Sequence, residues 1–170
     1  DVCVDFTSFN LIDKGNNKVI IKDTKGYNPT DTYKVSISYF AGYKSSGQLT
    51  ISGPDALDKA KLTAEIIWKR LSNAGFKYDD TLTEFLGISS CHGNINKTPD
   101  QINELVLRLS VKDRDKNKVN RFGKEISPVI TSGPPGITGF SGGRPKAQEI
   151  IAYWPALIPK EFVKTYVDVI

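Results

Sequence analysis

Histidine and cysteine are scarce in this 170-residue sequence, which contains one histidine, His92, and two cysteines, Cys3 and Cys91. The cysteines lie far apart, whereas small secreted scaffolds carry more cysteines in a patterned spacing. We therefore expect free thiols in a reducing compartment. Structural zinc sites use four nitrogen or sulfur ligands, so we expect no metal site within this chain. His92 follows Cys91 directly, but adjacent residues rarely face each other, and we interpret it as a loop histidine.

Long apolar runs are absent as well. No stretch approaches the roughly 20 apolar residues that a membrane helix needs, so we expect no membrane partner. The sequence also has no initiator methionine and no targeting segment. We expect a cytoplasmic chain that folds as a single domain over residues 1–170 and forms one part of a longer or multi-chain protein.

The net charge of +4 is spread along the chain, and the densest basic stretch covers residues 112–124. Asp113 and Asp115 interrupt this stretch, and Phe122 is its only aromatic residue. Nucleic-acid surfaces typically combine uninterrupted basic residues with stacking aromatics. We therefore interpret the stretch as a solvated helix face and expect no nucleic-acid partner, while a weak affinity for small anions stays open.

Turn residues and alternation predict two hairpins in the first third of the chain. Strands are expected over residues 2–9 and 18–22, and again over 33–39 and 48–51, with a turn at Ser45-Ser46-Gly47 between the second pair. We expect the strand over 33–39 to be half-buried, because apolar and polar residues alternate along it. One of its faces carries Tyr33, Val35, Ile37 and Tyr39.

Apolar residues at three- and four-residue spacing predict a helix over residues 57–71 that ends at Gly75. A second helix is expected from Asp115 to about Ile130, with a kink or an end at Pro128. Further strands are predicted over residues 81–89, 104–112, 147–153 and 162–170. Short connections favour antiparallel pairing, so this order predicts an α+β fold with a mostly antiparallel sheet backed by two helices in a two-layer sandwich.

The segment from Thr131 to Pro145 contains five glycines and three prolines in fifteen positions. Glycine permits close backbone approach and proline fixes φ, so the segment is shaped rather than merely flexible. Its amide groups, with Ser132, Ser141 and Arg144, could hold a phosphate or carboxylate. A rigid connector between a helix and a strand is the alternative. Walker and dinucleotide-binding motifs are absent, and we expect no cofactor.

Arginines on predicted regular elements are further candidates. Arg108 on a strand, and Arg121 with Glu125 at four-residue spacing on a helix, could form an ion pair or an anion clamp. Salt bridges on a solvated surface are the alternative. Tyr153 and Trp154 precede a predicted turn, and we interpret them as core packing or a domain interface.

Five motifs run through nearly the whole chain. They are Tyr33-Lys34-Val35-Ser36; Ile51-Ser52-Gly53-Pro54-Asp55-Ala56 with Lys59-Ala60; Lys69-Arg70-Leu71 leading to Ala74-Gly75; Thr131-Ser132-Gly133-Pro134-Pro135-Gly136 with Gly142-Gly143-Arg144-Pro145; and Tyr153-Trp154-Pro155-Ala156-Leu157-Ile158-Pro159. Together they resemble the acyclic terpene utilisation (AtuA) family.

The resemblance implies a role in the catabolism of acyclic terpenoids or branched acyl-CoA compounds, with an acyl-CoA or carboxylate ligand, and leaves the reaction unassigned. Members of the family are longer, with an α/β region before the part matched here. The resemblance therefore implies that this chain is the carboxyl-terminal portion of the main conserved region, and that another segment or chain supplies the amino-terminal region.

No catalytic residue is assigned on this hypothesis. The candidate ligand-binding residues are Ser132, Gly133, Gly136, Gly142, Gly143, Arg144, Arg108, Arg121 and Glu125. The alternative function is a non-catalytic interaction domain that docks a partner chain through the glycine-proline segment and the Tyr153-Trp154 surface. The sequence also leaves open whether the chain forms a homo-oligomer.

Overall fold

The computed structural model describes residues 3–88, 90–95, 101–139 and 143–169. The chain forms two units, which we call the terminal unit, residues 1–38 and 153–170, and the central unit, residues 39–152. Two long strands have residues in both units: β5, Thr32–Ser52, and β9, Gln148–Pro159, which pairs with β5. All candidate ligand-binding residues belong to the central unit.

Short antiparallel strands form much of the terminal unit. The four strands are β1, Cys3–Asp5, β2, Asn10–Asp13, β3, Val19–Lys22, and β4, Lys25–Tyr27. β1 pairs with β4, and β2 pairs with β3. A hairpin therefore forms at the predicted turn, but its first strand is Asn10–Asp13 and not the predicted strand over residues 2–9. The prediction of one strand over residues 2–9 is wrong, because the Asp5 side chain accepts hydrogen bonds from the Thr7 backbone and hydroxyl and holds a turn there.

The first part of β5 differs from its predicted burial. Tyr33, Ile37 and Tyr39 are exposed, and only Val35 of the predicted apolar face is half-buried. The alternation is present, but no described element covers this face.

A four-strand path forms the sheet of the central unit. β7, Glu104–Asp113, lies between β6, Asp80–Leu86, and β5, and it pairs antiparallel with both. β8, Ile137–Thr138, pairs with the other edge of β5. The predicted alternation along β7 is confirmed, since its alternate residues Leu105, Leu107, Leu109 and Val111 are all buried.

The predicted turn at Ser45-Ser46-Gly47 is wrong. β5 continues through these residues, which pair with Val111, Ser110 and Leu109 of β7. Gly47 is explained by packing, because a Cβ atom there would lie 2.9 Å from Cγ1 of Ile126. Glycine therefore permits close approach at this position and makes no turn.

Both predicted helices form. α1, Ala56–Asn73, is followed by Gly75 at φ +80°, as the left-handed cap requires. The second helix divides at Ser127 into α2, Lys116–Ile126, and α3, Pro128–Ser132, which confirms the end at Pro128. The Asp115 side chain caps α2 by accepting a hydrogen bond from the Asn117 backbone at 2.8 Å. No helix in the described ranges has the length and apolarity to cross a membrane.

The core of the central unit lies between the sheet and the helices α1 and α2, which both pack on β7. The rings of Trp68 and Phe122 stack there with centroids 6.0 Å apart. The other buried apolar residues of the core include Leu49, Ile51, Ala60, Ala64, Ile67, Leu71, Val119, Ile126 and Val129. The predicted α+β fold, with a mostly antiparallel sheet and two helices, is confirmed.

The predicted strand over residues 147–153 is wrong in extent, and the one predicted over residues 162–170 does not form among the described residues. β9 continues through the predicted turn to Pro159, and a short 3-10 helix, Lys160–Phe162, follows it. Residues 163–169 form no regular element. Proline is tolerated within β9 because, among the described strands, β9 pairs only with β5 and therefore has a free edge.

Candidate functional site

The first half of the glycine-proline segment connects α3 to β8. The Gly133 amide donates to the Val129 carbonyl at 3.0 Å, and the Gly136 carbonyl accepts from the Ser52 amide at 2.9 Å. Gly136 has φ +87°, and a Cβ atom there would lie 2.8 Å from Oγ of Ser52. Packing and backbone conformation thus account for both glycines, in agreement with a rigid connector.

The second half of the segment lies against α2. A Cβ atom on Gly123 would lie 2.0 Å from the carbonyl oxygen of Pro145, so the segment passes directly over the helix backbone. The Ala147 amide donates to Oδ1 of Asn120 at 2.9 Å. Arg144 is exposed beside this contact. Of the predicted residues in this half, Ser141 and Gly142 lie outside the described residues.

A cavity of about 590 Å³ lies between α2 and residues 144–146, and we call it the basic cavity. It brings together Arg121 and Arg144, which the sequence predicted separately. Five cationic side chains and one acidic side chain are among its lining residues, which are Phe76, Asp115, Asn117, Lys118, Asn120, Arg121, Lys124, Arg144, Pro145 and Lys146. This volume is typical of a small-molecule site.

Glu125 holds Arg121 at the wall of the basic cavity. Its carboxylate is 3% exposed, accepts from Nε of Arg70 at 2.8 Å and forms an ion pair with Arg121. Burial opposes ionisation of this carboxyl, but the hydrogen bond from Arg70 and the charges of Arg121 and Arg70 outweigh burial and lower the pKa of Glu125. Arg121 also lies over the Phe76 ring, with Cζ 5.7 Å from the centroid.

Lys118 is fixed in a similar way. It forms an ion pair with the buried Asp113, and the hydrogen bond that it donates to Asp113 raises the pKa of Lys118. The Tyr78 hydroxyl donates to the Lys118 carbonyl at 3.1 Å. Burial raises the pKa of Tyr78 to about 12, so this hydroxyl remains a donor at neutral pH.

The other three cations of the basic cavity have no such acidic neighbour. Lys124, Arg144 and Lys146 form no ion pair within the described part of the chain, and all three are exposed. Asp115 is the acidic residue among those that line the cavity, and its side chain already accepts hydrogen bonds from the backbone amides of α2. The cavity therefore has an excess of positive charge available to an anion.

Arg108 and Ser132 also lie away from the basic cavity. Arg108 alternates with the buried residues of β7 and so points to the sheet face opposite the helices, where its Nε donates to Oε2 of Glu84 at 2.5 Å. This ion pair agrees with the alternative of a solvated salt bridge. Ser132 is exposed at the end of α3 and is not among the residues that line the basic cavity.

Sequence reasoning missed Lys118, Lys124, Lys146 and Phe76 as site residues. A signal for two of them exists, because Lys118, Arg121 and Lys124 recur every three residues and so share one face of a helix. These lysines were interpreted as a solvated surface. Phe76 carries no comparable signal, since it reaches the cavity through the turn after α1.

A second cavity, of about 760 Å³, lies at the beginning of α1 and includes Asp55 and Asp58 in its lining. These carboxylates make it unsuitable for an anion. Cys3 and Cys91 are both free and exposed. Within the described ranges, no three His, Cys, Asp or Glu side chains are grouped so that they could hold a metal ion.

The comparison with protein families agrees with the resemblance found in the motifs. A family model described as acyclic terpene utilisation family protein AtuA matches residues 1–169. No curated protein and no solved structure is similar enough to this chain to count as a match. The expectation that another segment or chain supplies an amino-terminal region stays a prediction. The chain belongs to the acyclic terpene utilisation family, AtuA.

Proposed function

We propose that the chain is part of a metabolic protein that acts on branched acyl thioesters or related carboxylates during the catabolism of acyclic terpenoids. In this proposal the basic cavity binds the anionic group of the ligand. Membership of the acyclic terpene utilisation family supports the role in terpenoid catabolism. The composition of the cavity supports the binding of an anion.

The observation that carries this proposal is the convergence of Lys124, Arg144 and Lys146 with Arg121 on one cavity. Guanidinium groups bind carboxylates and phosphates through paired, charge-assisted hydrogen bonds. Glu125 orients Arg121, whereas Arg144 is free of an acidic partner among the described residues and can turn towards a ligand. The cavity thus combines two cations held in ion pairs, Arg121 and Lys118, with three exposed cations that form no ion pair among the described residues.

The apolar part of the cavity suits the remainder of such a ligand. Phe76 and Pro145 contribute an aromatic ring and a pyrrolidine ring to the lining. A branched hydrocarbon chain or the base of a coenzyme A thioester would pack on these rings. The proposal assigns binding to this cavity and names no catalytic residue.

The experiment is an isothermal titration of the 170-residue chain with isovaleryl-coenzyme A and, separately, with isovalerate. We expect Arg144→Ala to weaken binding about tenfold, which corresponds to about 1.4 kcal/mol, with an unchanged midpoint of thermal unfolding. The matched control is Arg114→Ala, which removes an exposed arginine outside the cavity lining. Binding of the thioester alone would indicate recognition of the coenzyme A phosphates, and binding of isovalerate would indicate recognition of a carboxylate, which the thioester lacks.

Two results would contradict the proposal. One is a wild-type chain that binds neither probe, which would favour the alternative of a non-catalytic interaction domain. The other is an Arg144→Ala variant that loses thermal stability while its affinity equals that of wild type.

A further inference from the structure

An open groove with an apolar floor lies between α1 and β6, and we call it the α1–β6 groove. Its volume is about 560 Å³, and its lining includes Ala64, Trp68 and Phe85. Among the described strands β6 pairs only with β7, so no described strand lies beyond it. Ala64 is buried and contributes only a methyl group to the floor. The two aromatic rings therefore provide most of its apolar surface.

The ring of Trp68 is fixed within the α1–β6 groove. It stacks on the buried Phe122, with centroids 6.0 Å apart. Its Nε1 donates a hydrogen bond to Oγ1 of Thr83 at 2.9 Å. The polar atom of the indole is thus already satisfied, and an apolar chain that covers the ring leaves no donor unpaired.

A smaller cavity of about 230 Å³ adjoins this groove, and we call it the connecting cavity. It shares Trp68 and Ser72 with the α1–β6 groove, and it shares Phe76 with the basic cavity. Leu71 and Tyr78 add to its apolar lining. The connecting cavity therefore lies between the other two, beside the end of α1 and the turn that follows it.

Two aromatic rings mark the boundary between the charged and the apolar spaces. Cζ of Arg121 lies 5.7 Å from the ring centroid of Phe76, and Nζ of Lys118 lies 5.9 Å from that of Tyr78. Both cations line the basic cavity, and both rings line the connecting cavity. A ligand with an anionic group and an apolar chain matches this division, with the anion at the cations and the chain beyond the rings.

The length of the α1–β6 groove indicates the size of that chain. Its lining residues on α1 extend from Lys61 to Ser72, which lies eleven residues later. At 1.5 Å per residue, this side of the helix is about 16 Å long. An isovaleryl group covers only a fraction of that length, so the groove has room for a longer acyl chain.

We infer that the connecting cavity and the α1–β6 groove bind the apolar chain of a ligand whose anionic group occupies the basic cavity. The substrate class is then a medium-chain acyl thioester, with a chain longer than isovaleryl. The inference rests on the proposed function, because it requires an anion in the basic cavity. It assigns the end of the chain to Trp68 and Phe85.

The first test is an isothermal titration of the 170-residue chain with coenzyme A, isovaleryl-coenzyme A and octanoyl-coenzyme A. A half-buried methylene group contributes about twofold in affinity. The octanoyl chain has three more carbons than isovaleryl, so we expect octanoyl-coenzyme A to bind about tenfold more tightly.

A matched pair of variants locates this gain. Ser72→Gln places a longer polar side chain where the connecting cavity meets the α1–β6 groove, and it should make the two thioesters bind equally. Asn73→Gln is the control, because Asn73 is exposed on the same turn of α1 and lines none of the three spaces. This variant should keep the tenfold preference. Neither substitution changes the net charge, so the affinity for free coenzyme A should equal that of wild type in both.

The second test uses the fluorescence of Trp68. The chain has two tryptophans, Trp68 and Trp154, and Trp154 is 62% exposed in the terminal unit. In a Trp154→Phe variant, Trp68 is therefore the sole reporter. We expect octanoyl-coenzyme A to shift its emission to shorter wavelength, because the chain removes water from the ring, and free coenzyme A to leave the emission unchanged.

The outcomes separate this inference from the proposed function. If isovaleryl- and octanoyl-coenzyme A bind wild type equally, the inference is wrong and the proposed function stands. If no coenzyme A compound binds, both are wrong. A preference for octanoyl-coenzyme A that persists in Ser72→Gln and leaves the emission of Trp68 unchanged also contradicts the inference. Circular dichroism verifies that the variants are folded, and if Ser72→Gln does not fold, the fluorescence of Trp68 decides.

Discussion

Gly123 in α2 lies directly against the carbonyl of Pro145, where a Cβ atom would be 2.0 Å from the oxygen. Arg121 is two residues before this glycine, and Arg144 directly precedes this proline. The contact therefore sets how far apart the two arginines of the basic cavity lie. Asn120 secures the same approach through its hydrogen bond to the Ala147 amide.

Gly123→Ala should displace residues 144–146 from α2. Overpacking of this kind costs about 1–3 kcal/mol of stability, and the better helix propensity of alanine offsets part of it. We expect a lower free energy of unfolding in urea and a several-fold weaker binding of isovaleryl-coenzyme A. Gly139→Ala is the control, because its Cβ would lie 3.7 Å from Cδ1 of Ile130, an ordinary contact. If Gly123→Ala and Gly139→Ala had the same unfolding free energy and the same affinity, the close approach would have no effect on the cavity.

Glu125→Gln should destabilise the chain at neutral pH by about 1–3 kcal/mol, because it leaves Arg70 and Arg121 without their shared buried carboxylate. The effect depends on pH. The folded pKa of Glu125 is lowered, so its contribution is complete above the unfolded pKa of about 4.3 and is lost as the pH falls through the folded pKa.

Urea unfolding of wild type and Glu125→Gln at pH 7 and near pH 3 measures this dependence. We expect the difference in unfolding free energy to shrink at the lower pH. Glu65→Gln is the control, because Glu65 is exposed on α1 and forms no ion pair with the described residues. A difference between wild type and Glu125→Gln that stays constant with pH would contradict the role of the carboxylate charge.

Local patterns predicted the parts of the fold that local physics determines. The three- and four-residue spacing in α1, the break at Pro128 and the alternation along β7 all agree with the structure. The predicted turn at Gly47 is wrong because glycine occurs both in turns and at close packing contacts, and the sequence alone does not distinguish the two. Here the glycine makes room for Ile126 and Pro145, and that need arises only after α2 packs on the sheet.

The residues of the site were also predictable only where local patterns indicate them. Arg121, Glu125 and Arg144 were candidates from the sequence, but their meeting at one cavity depends on the packing of residues 144–146 over α2. Arg108 was a candidate beside Arg121 and Glu125, yet strand alternation places it on the sheet face opposite the helices. The helical stripe of Lys118 and Lys124 was visible but was interpreted as a solvated helix face, because the sequence alone does not place Arg144 beside it.

Lys124→Gln should weaken binding of isovaleryl-coenzyme A about two- to fivefold and also reduce the dependence of binding on salt. Lys124 is exposed, so its contribution to affinity is mainly a screened long-range attraction. The Debye length falls from about 14 Å at 0.05 M to about 4 Å at 0.5 M ionic strength. Titrations at these two salt concentrations therefore measure the contribution of Lys124 directly.

Lys112→Gln is the matched control, because it removes the same charge from an exposed position of β7 on the sheet face opposite the basic cavity. If net charge alone attracted the ligand, both variants would lose the same affinity and the same salt dependence. If the cavity binds the anion, only Lys124→Gln changes, and its affinity approaches that of wild type at high salt, where screening has already removed the attraction that the lysine provides.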